Sequence, residues 1–130
     1  MQVKGTFDVK LAPDGEGTVV EGVSIGRLTL TKQFHGDLEA TSTGEMVGVR
    51  NATQPTSAGY IAVERVDGTL AGKRGTFVLT HKGTMTNGVG ALDCSVVPAS
   101  GTGELANLAG TLTIEIVEKV HSYVFEYELA

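Results

Sequence analysis

The chain has 130 residues, of which 41% are hydrophobic and 18 are Gly, and its formal net charge is −5. This length and composition suit one globular domain over residues 1–130. An acidic chain without a basic cluster lacks the surface that nucleic acids require, and no apolar run approaches the ~20 residues of a membrane span. The N-terminus has no apolar signal core, so we expect a cytoplasmic protein.

Alternation of polar and apolar residues predicts β-strands along most of the chain, beginning with Val3 to Leu11. Further strands are predicted at residues 27–35, 38–50, 58–70, 76–85, 91–98, 111–117 and 122–129. Gly44 interrupts the strand predicted at residues 38–50 and indicates a bulge or bend. One short helical turn is predicted at 102–108, with Thr102 as its N-cap.

Eight strands with short connections predict an all-β meander. We expect an eight-stranded antiparallel closed β-barrel with a lipocalin-like order of strands, because closure removes both exposed edges. A two-sheet sandwich is the alternative.

The stretch "ASGTGELANLAG", residues 99–110, contains the G-x-G-x-x-A spacing of dinucleotide-binding turns. Such a site also needs a long crossover helix, and a strand begins again at Thr111. We therefore expect no nucleotide and no other cofactor. The stretch instead predicts a turn that Gly110 caps, with Leu105 and Leu108 plugging one end of the barrel.

Glu64 and His81 are the first candidates for chemistry. A hairpin turn centred on Gly72 and Lys73 places them opposite each other, where a paired carboxylate and imidazole suit general acid–base catalysis. A structural ion pair is the alternative. Glu45 is a third candidate base if a bend at Gly44 turns it inward, and a solvent-facing carboxylate otherwise.

Three further residues are candidates for ligand contacts. Lys32 alternates with Leu30 and Phe34, and on an inner face it would need a carboxylate partner such as Glu45. The Tyr60 hydroxyl either contacts a ligand or packs at a barrel end. Cys94, the only cysteine, lines the pocket or is an inert apolar residue. The three His residues form no local metal motif with Cys or with one another.

The last strand places four large side chains on one face, namely Tyr123, Phe125, Tyr127 and Leu129. Core packing, the lining of a ligand cavity and a subunit interface all explain such a stripe, and core packing is preferred. The sequence is compatible with a homo-oligomer and does not decide between a monomer and an oligomer.

Three blocks resemble the bacterial family called domain of unknown function 3224. They are "LTKQFHGDLEATSTGEM" (30–46), "ERVDGTLAGKRGTFVLTHKGT" (64–84) and "VVPASGTGELANLAGTL" (96–112), and their spacing fits as well. The chain departs from the pattern at Cys94, where an aromatic residue is expected. The resemblance implies a barrel similar to allene oxide cyclase, a fold that includes cyclases and isomerases of hydrophobic substrates, although fold alone does not give function.

Together these observations predict a barrel that binds a small lipophilic molecule in its interior. Isomerisation or cyclisation by cofactor-free acid–base chemistry is a further step of that hypothesis. The alternative is a noncatalytic structural or interaction module whose barrel is filled by side chains.

Overall fold

The computed structural model describes all 130 residues, and nearly all of the chain is β-structure. Its strands are β1 (Gln2–Pro13), β2 (Thr18–Val20), β3 (Val23–Gly36), β4 (Leu38–Asn51), β5 (Ala58–Leu70), β6 (Lys73–Thr86), β7 (Val89–Val96), β8 (Leu108–Val117) and β9 (Val120–Leu129). They form one antiparallel sheet in the order β1-β9-β8-β7-β6-β5-β4-β3-β2, which the pairing of β1 with β3 closes. The predicted eight-stranded barrel is confirmed, the sandwich is excluded, and the short β2 is an addition.

Two-residue turns connect the central hairpins. Ala71 and Gly72 both have positive φ, as do Asn87 and Gly88, which is the type I′ geometry that matches the twist of paired strands. The predicted turn centre at Gly72 and Lys73 was wrong by one position. As a result Glu64 pairs with Leu79 rather than with His81, which pairs with Ala62. A displacement of two residues along β6 keeps every side chain on its predicted face.

The hydrophobic core fills the half of the barrel where the β3–β4 and β5–β6 turns lie, which we name the closed end. It is a cluster of 17 buried residues, and Leu38, Leu70 and Phe77 are almost completely buried in it. Tyr123, Phe125 and Tyr127 of β9 belong to this cluster, so core packing is confirmed for the aromatic stripe. The Tyr123 hydroxyl also donates a hydrogen bond to the carbonyl of His35 at 3.0 Å.

The glycine-rich stretch covers the closed end. Leu105, in a 3-10 turn at Gly103–Leu105, and Leu108 at the start of β8 are buried, as the plug prediction required. Thr102 does not cap this turn with its side chain. Its hydroxyl accepts a hydrogen bond from the backbone N–H of Thr76 on β6 at 3.0 Å instead.

The predicted cap of the helical turn was also misplaced. Gly110 lies within β8, and Asn107 is the residue that takes a positive φ after the turn. The helical turn is shorter than predicted, because it ends at Leu105 rather than at residue 108. The chain therefore leaves the helical conformation before β8 begins at Leu108.

One seam of the barrel differs from the others. β7 and β8 share a single registered pair, Ser95 with Thr111, whereas β4 and β5 are paired from Leu38–Leu70 to Arg50–Ala58. The walls of β7 and β8 therefore lack a regular ladder towards the opposite end, which we name the open end.

Candidate functional site

Four polar or charged side chains are buried in the barrel, namely Lys32, Ser42, Glu64 and His81. They lie on β3, β4, β5 and β6, four strands that are neighbours in the sheet. On each strand the residue alternates with buried apolar residues, which places it on the inner face. We name this set the polar layer.

Glu64 is the centre of the polar layer. Its Oε1 accepts hydrogen bonds from Lys32 Nζ at 2.8 Å and from His81 Nε2 at 2.5 Å. Its Oε2 accepts a hydrogen bond from Ser42 Oγ at 2.6 Å. No buried side-chain nitrogen or oxygen in the chain lacks a hydrogen-bond partner, so the layer satisfies its own polar atoms.

The surroundings of Glu64 keep it ionised. Its residue is only 1% exposed, and burial acts to raise the pKa of the carboxyl group. The His81 hydrogen bond, the Lys32 charge and the hydrogen bonds from Lys32 and Ser42 outweigh burial and lower the pKa to about 2. Lys32 Nζ also lies 4.9 Å from the ring centre of Phe7, a cation–π distance.

Gly44 allows β4 and β5 to approach each other closely at Glu64. It lies between Leu30 and Glu64 in the register of the sheet, and the pairing runs through it without an extra residue. A Cβ atom at this position would stand 2.8 Å from the Cα of Glu64, which is closer than real contacts allow. The predicted bulge was therefore wrong, and close strand approach explains the glycine.

Tyr60 joins the polar layer at its edge towards the open end. Its hydroxyl lies 3.5 Å from His81 Nδ1, and its ring covers Gly83, the residue paired with it on β6. Burial, together with the nearby Cys94 and Glu64, raises the pKa of Tyr60 to about 12, so the hydroxyl keeps its proton at neutral pH. Tyr60 itself is only partly buried.

Cys94 is buried directly opposite His81 on β7. Burial and the charge of Glu64 raise the pKa of this thiol to about 12, with Lys32 acting in the other direction. A thiol with so high a pKa is a poor nucleophile at neutral pH. Cys94 therefore supplies a small apolar wall beside the imidazole.

Glu45 is the predicted site residue that the structure keeps apart from the others. Its side chain is 71% exposed and lies 3.9 Å from Arg27 on the outer surface. Because Gly44 faces inward without a bulge, the next residue must face outward. The predicted Lys32–Glu45 pair was wrong for the same reason, and Lys32 pairs with Glu64.

Sequence reasoning overlooked Ser42. The signal was present, because Ser42 alternates with Leu38, Ala40 and Gly44 along β4. That alternation places a hydroxyl on the inner face, where it needs a hydrogen-bond partner.

Apolar side chains surround the interior beyond the polar layer. Six residues at inner-face positions near the open end are only half-buried or are exposed, and we name them the mouth: Leu11, Leu28, Met46, Met85, Leu92 and Ile116. Leu11 is 51% exposed and Ile116 is 62% exposed. Leu92 pairs with Gly83, which pairs in turn with Tyr60, so the mouth adjoins the polar layer.

Two surface pockets of the protein lie away from the polar layer. They have volumes of about 520 and 340 Å³ and lie against β8 and β9, and none of the polar-layer residues lines them. No group of three or more His, Cys, Asp and Glu side chains is arranged to hold a metal ion. None of the elements is a helix with the length and apolarity needed to cross a membrane.

Comparison with known proteins places the chain in a family. The family described as Protein of unknown function (DUF3224) matches residues 3–127. The crystal structure of a protein with unknown function from this family, from Shewanella oneidensis MR-1, is similar at 46% identity and a TM-score of 0.94, covering 100% of this chain and 98% of that chain. No curated protein matches the chain, and the likeness to allene oxide cyclase stays a prediction. The chain belongs to the DUF3224 family.

Proposed function

We propose that the barrel binds a small, mainly apolar molecule in the mouth, and that the polar layer forms the floor of this site. The observation that carries the proposal is the exposure of large apolar side chains on the inner face at one end only. Inner faces of barrels are normally filled, and a concave apolar surface with a few polar groups is typical of a ligand site.

The energetics favour an occupant of the mouth. Transfer of apolar surface from water contributes roughly 25 cal/mol per Å². A ligand that covers about 200 Å² of such surface therefore gains about 5 kcal/mol before the entropic costs of binding. The closed end offers no comparable gain because its side chains already form the buried core.

The floor of the site suits acid–base chemistry without a cofactor. Glu64 accepts a hydrogen bond from His81 Nε2 and thereby directs Nδ1 towards Tyr60 and the mouth. A carboxylate in this position also stabilises the imidazolium that forms when the ring takes a proton. Isomerisation or cyclisation of the bound molecule is the reaction class that we propose for this arrangement.

Binding of a neutral apolar fluorophore, N-phenyl-1-naphthylamine, tests the site. We expect the native protein to bind it and Ile116→Ser to weaken binding about fivefold, the loss expected when about 1 kcal/mol of apolar contact is removed. Ile61→Ser is the matched control, because Ile61 lies on the outer face and is 59% exposed, close to the value for Ile116.

Equal affinities for the two variants, or no binding by the native protein, would contradict the proposal. Either result would favour a noncatalytic module whose barrel is filled by its own side chains.

A further inference from the structure

The contact between Tyr60 and His81 is much longer than the three hydrogen bonds of the polar layer. The three hydrogen bonds to Glu64 measure 2.5, 2.6 and 2.8 Å. The distance from the Tyr60 hydroxyl to His81 Nδ1 is 3.5 Å, at the limit of what a hydrogen bond allows. Neither of these two atoms makes a shorter hydrogen bond elsewhere. A donor and an acceptor thus face each other beside the mouth, weakly engaged.

The roles of the two atoms follow from Glu64. An ionised carboxylate only accepts hydrogen bonds, so the His81 Nε2 that contacts it carries a proton. In the neutral imidazole, Nδ1 then holds the lone pair. Tyr60 supplies a hydroxyl proton and His81 supplies a base, side by side.

We propose that the ligand of the mouth is an apolar carbonyl compound with a hydrogen on the carbon next to the carbonyl group, a proposal that rests on the function proposed above. The Tyr60 hydroxyl donates a hydrogen bond to the carbonyl oxygen, and His81 Nδ1 removes the neighbouring proton. The electron pair of the broken C–H bond forms a C=C bond, and the carbonyl π pair moves to oxygen as an enolate. Return of the proton from Nδ1 to the same carbon regenerates the ketone, and its return to the γ-carbon of an enolate conjugated with a C=C bond completes an isomerisation, in both cases without an oxidant or reductant.

The charges around the site argue against other ligand classes. A carboxylate group on the ligand would lose its hydration beside a layer whose one cation, Lys32, is already paired with Glu64. An ammonium group would meet Lys32, which already occupies Glu64 Oε1. An uncharged oxygen acceptor satisfies Tyr60 without a new buried charge. The thiol of Cys94 stays protonated beside His81, so it adds no competing charge.

In this scheme His81 and Tyr60 are the catalytic residues, and Glu64 is a positioning residue. Hydrogen bonding to a developing enolate and proton transfer to a positioned base each contribute about 100-fold or more to rates in enzymes. Tyr60→Phe should therefore slow proton removal about 100-fold. His81→Gln removes the base and should therefore abolish proton removal from the ligand.

The test measures binding and proton exchange separately. A panel of neutral cyclic ketones, including 2-decalone, is compared with the matched hydrocarbons, including decalin, by NMR titration of the protein. Deuterium incorporation next to the carbonyl is followed in D2O for the native protein, Tyr60→Phe, His81→Gln and the control Ile61→Ser. Tyr60 is only partly buried, so Tyr60→Phe is expected to fold even if His81→Gln does not.

The expected result is tighter binding of at least one ketone than of its hydrocarbon, with exchange that depends on Tyr60 and is unchanged in Ile61→Ser. If ketones and hydrocarbons bind the mouth equally and no exchange is accelerated, this inference is overturned while the proposed apolar site stands. Exchange that persists unchanged in Tyr60→Phe also overturns it. If neither set binds, the proposed function itself fails.

Discussion

Glu64 holds the polar layer together, because every hydrogen bond that Lys32 and Ser42 make with their side chains ends on its carboxylate. Sequence alternation correctly placed Glu64 and His81 on one face, even though their predicted register was displaced by two residues. The choice of partner for Lys32 was not predictable in the same way. It depended on whether Gly44 bent the strand, and a single-residue error there exchanges the inner and outer faces.

Glu64→Gln is expected to destabilise the protein by about 3 kcal/mol at pH 7, because it leaves the Lys32 ammonium buried without its counter-charge. Urea unfolding measures this change. Glu45→Gln is the control, and as an exposed carboxylate it should change the free energy of unfolding by less than about 1 kcal/mol. Equal effects of the two substitutions would argue against a structural role for the buried pair.

The same carboxylate predicts a dependence of stability on pH. The pKa of Glu64 is lowered from 4.5 to about 2 in the folded chain, so its contribution is fully present above pH 4.5 and is lost as the pH falls towards 2. The difference in unfolding free energy between native protein and Glu64→Gln should therefore shrink over that interval. A difference that stays constant from pH 7 to pH 2 would show that the folded-state pKa is not lowered.

Among the elements, β7 is fully paired with one neighbour, β6, and almost unpaired with the other, β8. Its ladder with β6 runs from Leu79–Val96 to Thr86–Val89, while its ladder with β8 is one pair. The inner-face residues Leu92 and Ile116 of the mouth lie on these two strands. The seam between them is thus the least constrained part of the wall beside the proposed site.

Amide hydrogen exchange should reveal this seam. Backbone amides of β7 and β8 that face each other between Ser95 and the open end are expected to exchange at least about 100-fold faster than those between β4 and β5, since an unpaired amide exchanges without opening of the sheet. The amides shared by β8 and β9, which are fully paired, provide an internal control within the same strand. Uniform protection across β8 would contradict the prediction.

At the scale of the whole molecule, the barrel divides into a packed closed end and an apolar open end with the polar layer between them. The glycine-rich stretch seals the closed end with Leu105, which is 0% exposed. The open end keeps Leu92 and its neighbours in contact with water. The buried core thus lies at the closed end, and the proposed ligand site lies at the open end.

A pair of leucine truncations tests this division. Leu105→Ala should lower the free energy of unfolding by about 2–5 kcal/mol, because it opens a cavity in the core. Leu92→Ala should change it by less than about 1 kcal/mol and should weaken binding of the apolar fluorophore. Thermal unfolding and fluorescence titration measure the two effects. Similar losses of stability in both variants would show that the open end is as tightly packed as the closed end.

The sequence by itself determined the strands, the face on which most side chains lie and the Asn87–Gly88 turn, because these depend on alternation and on turn chemistry within a few residues. Only the tertiary structure decided that Lys32 meets Glu64, that β1 closes on β3, and that apolar side chains of the mouth stay exposed. These features depend on the register and ends of strands far apart in the chain. A difference of one or two residues in register changes which side chains meet and which remain in water.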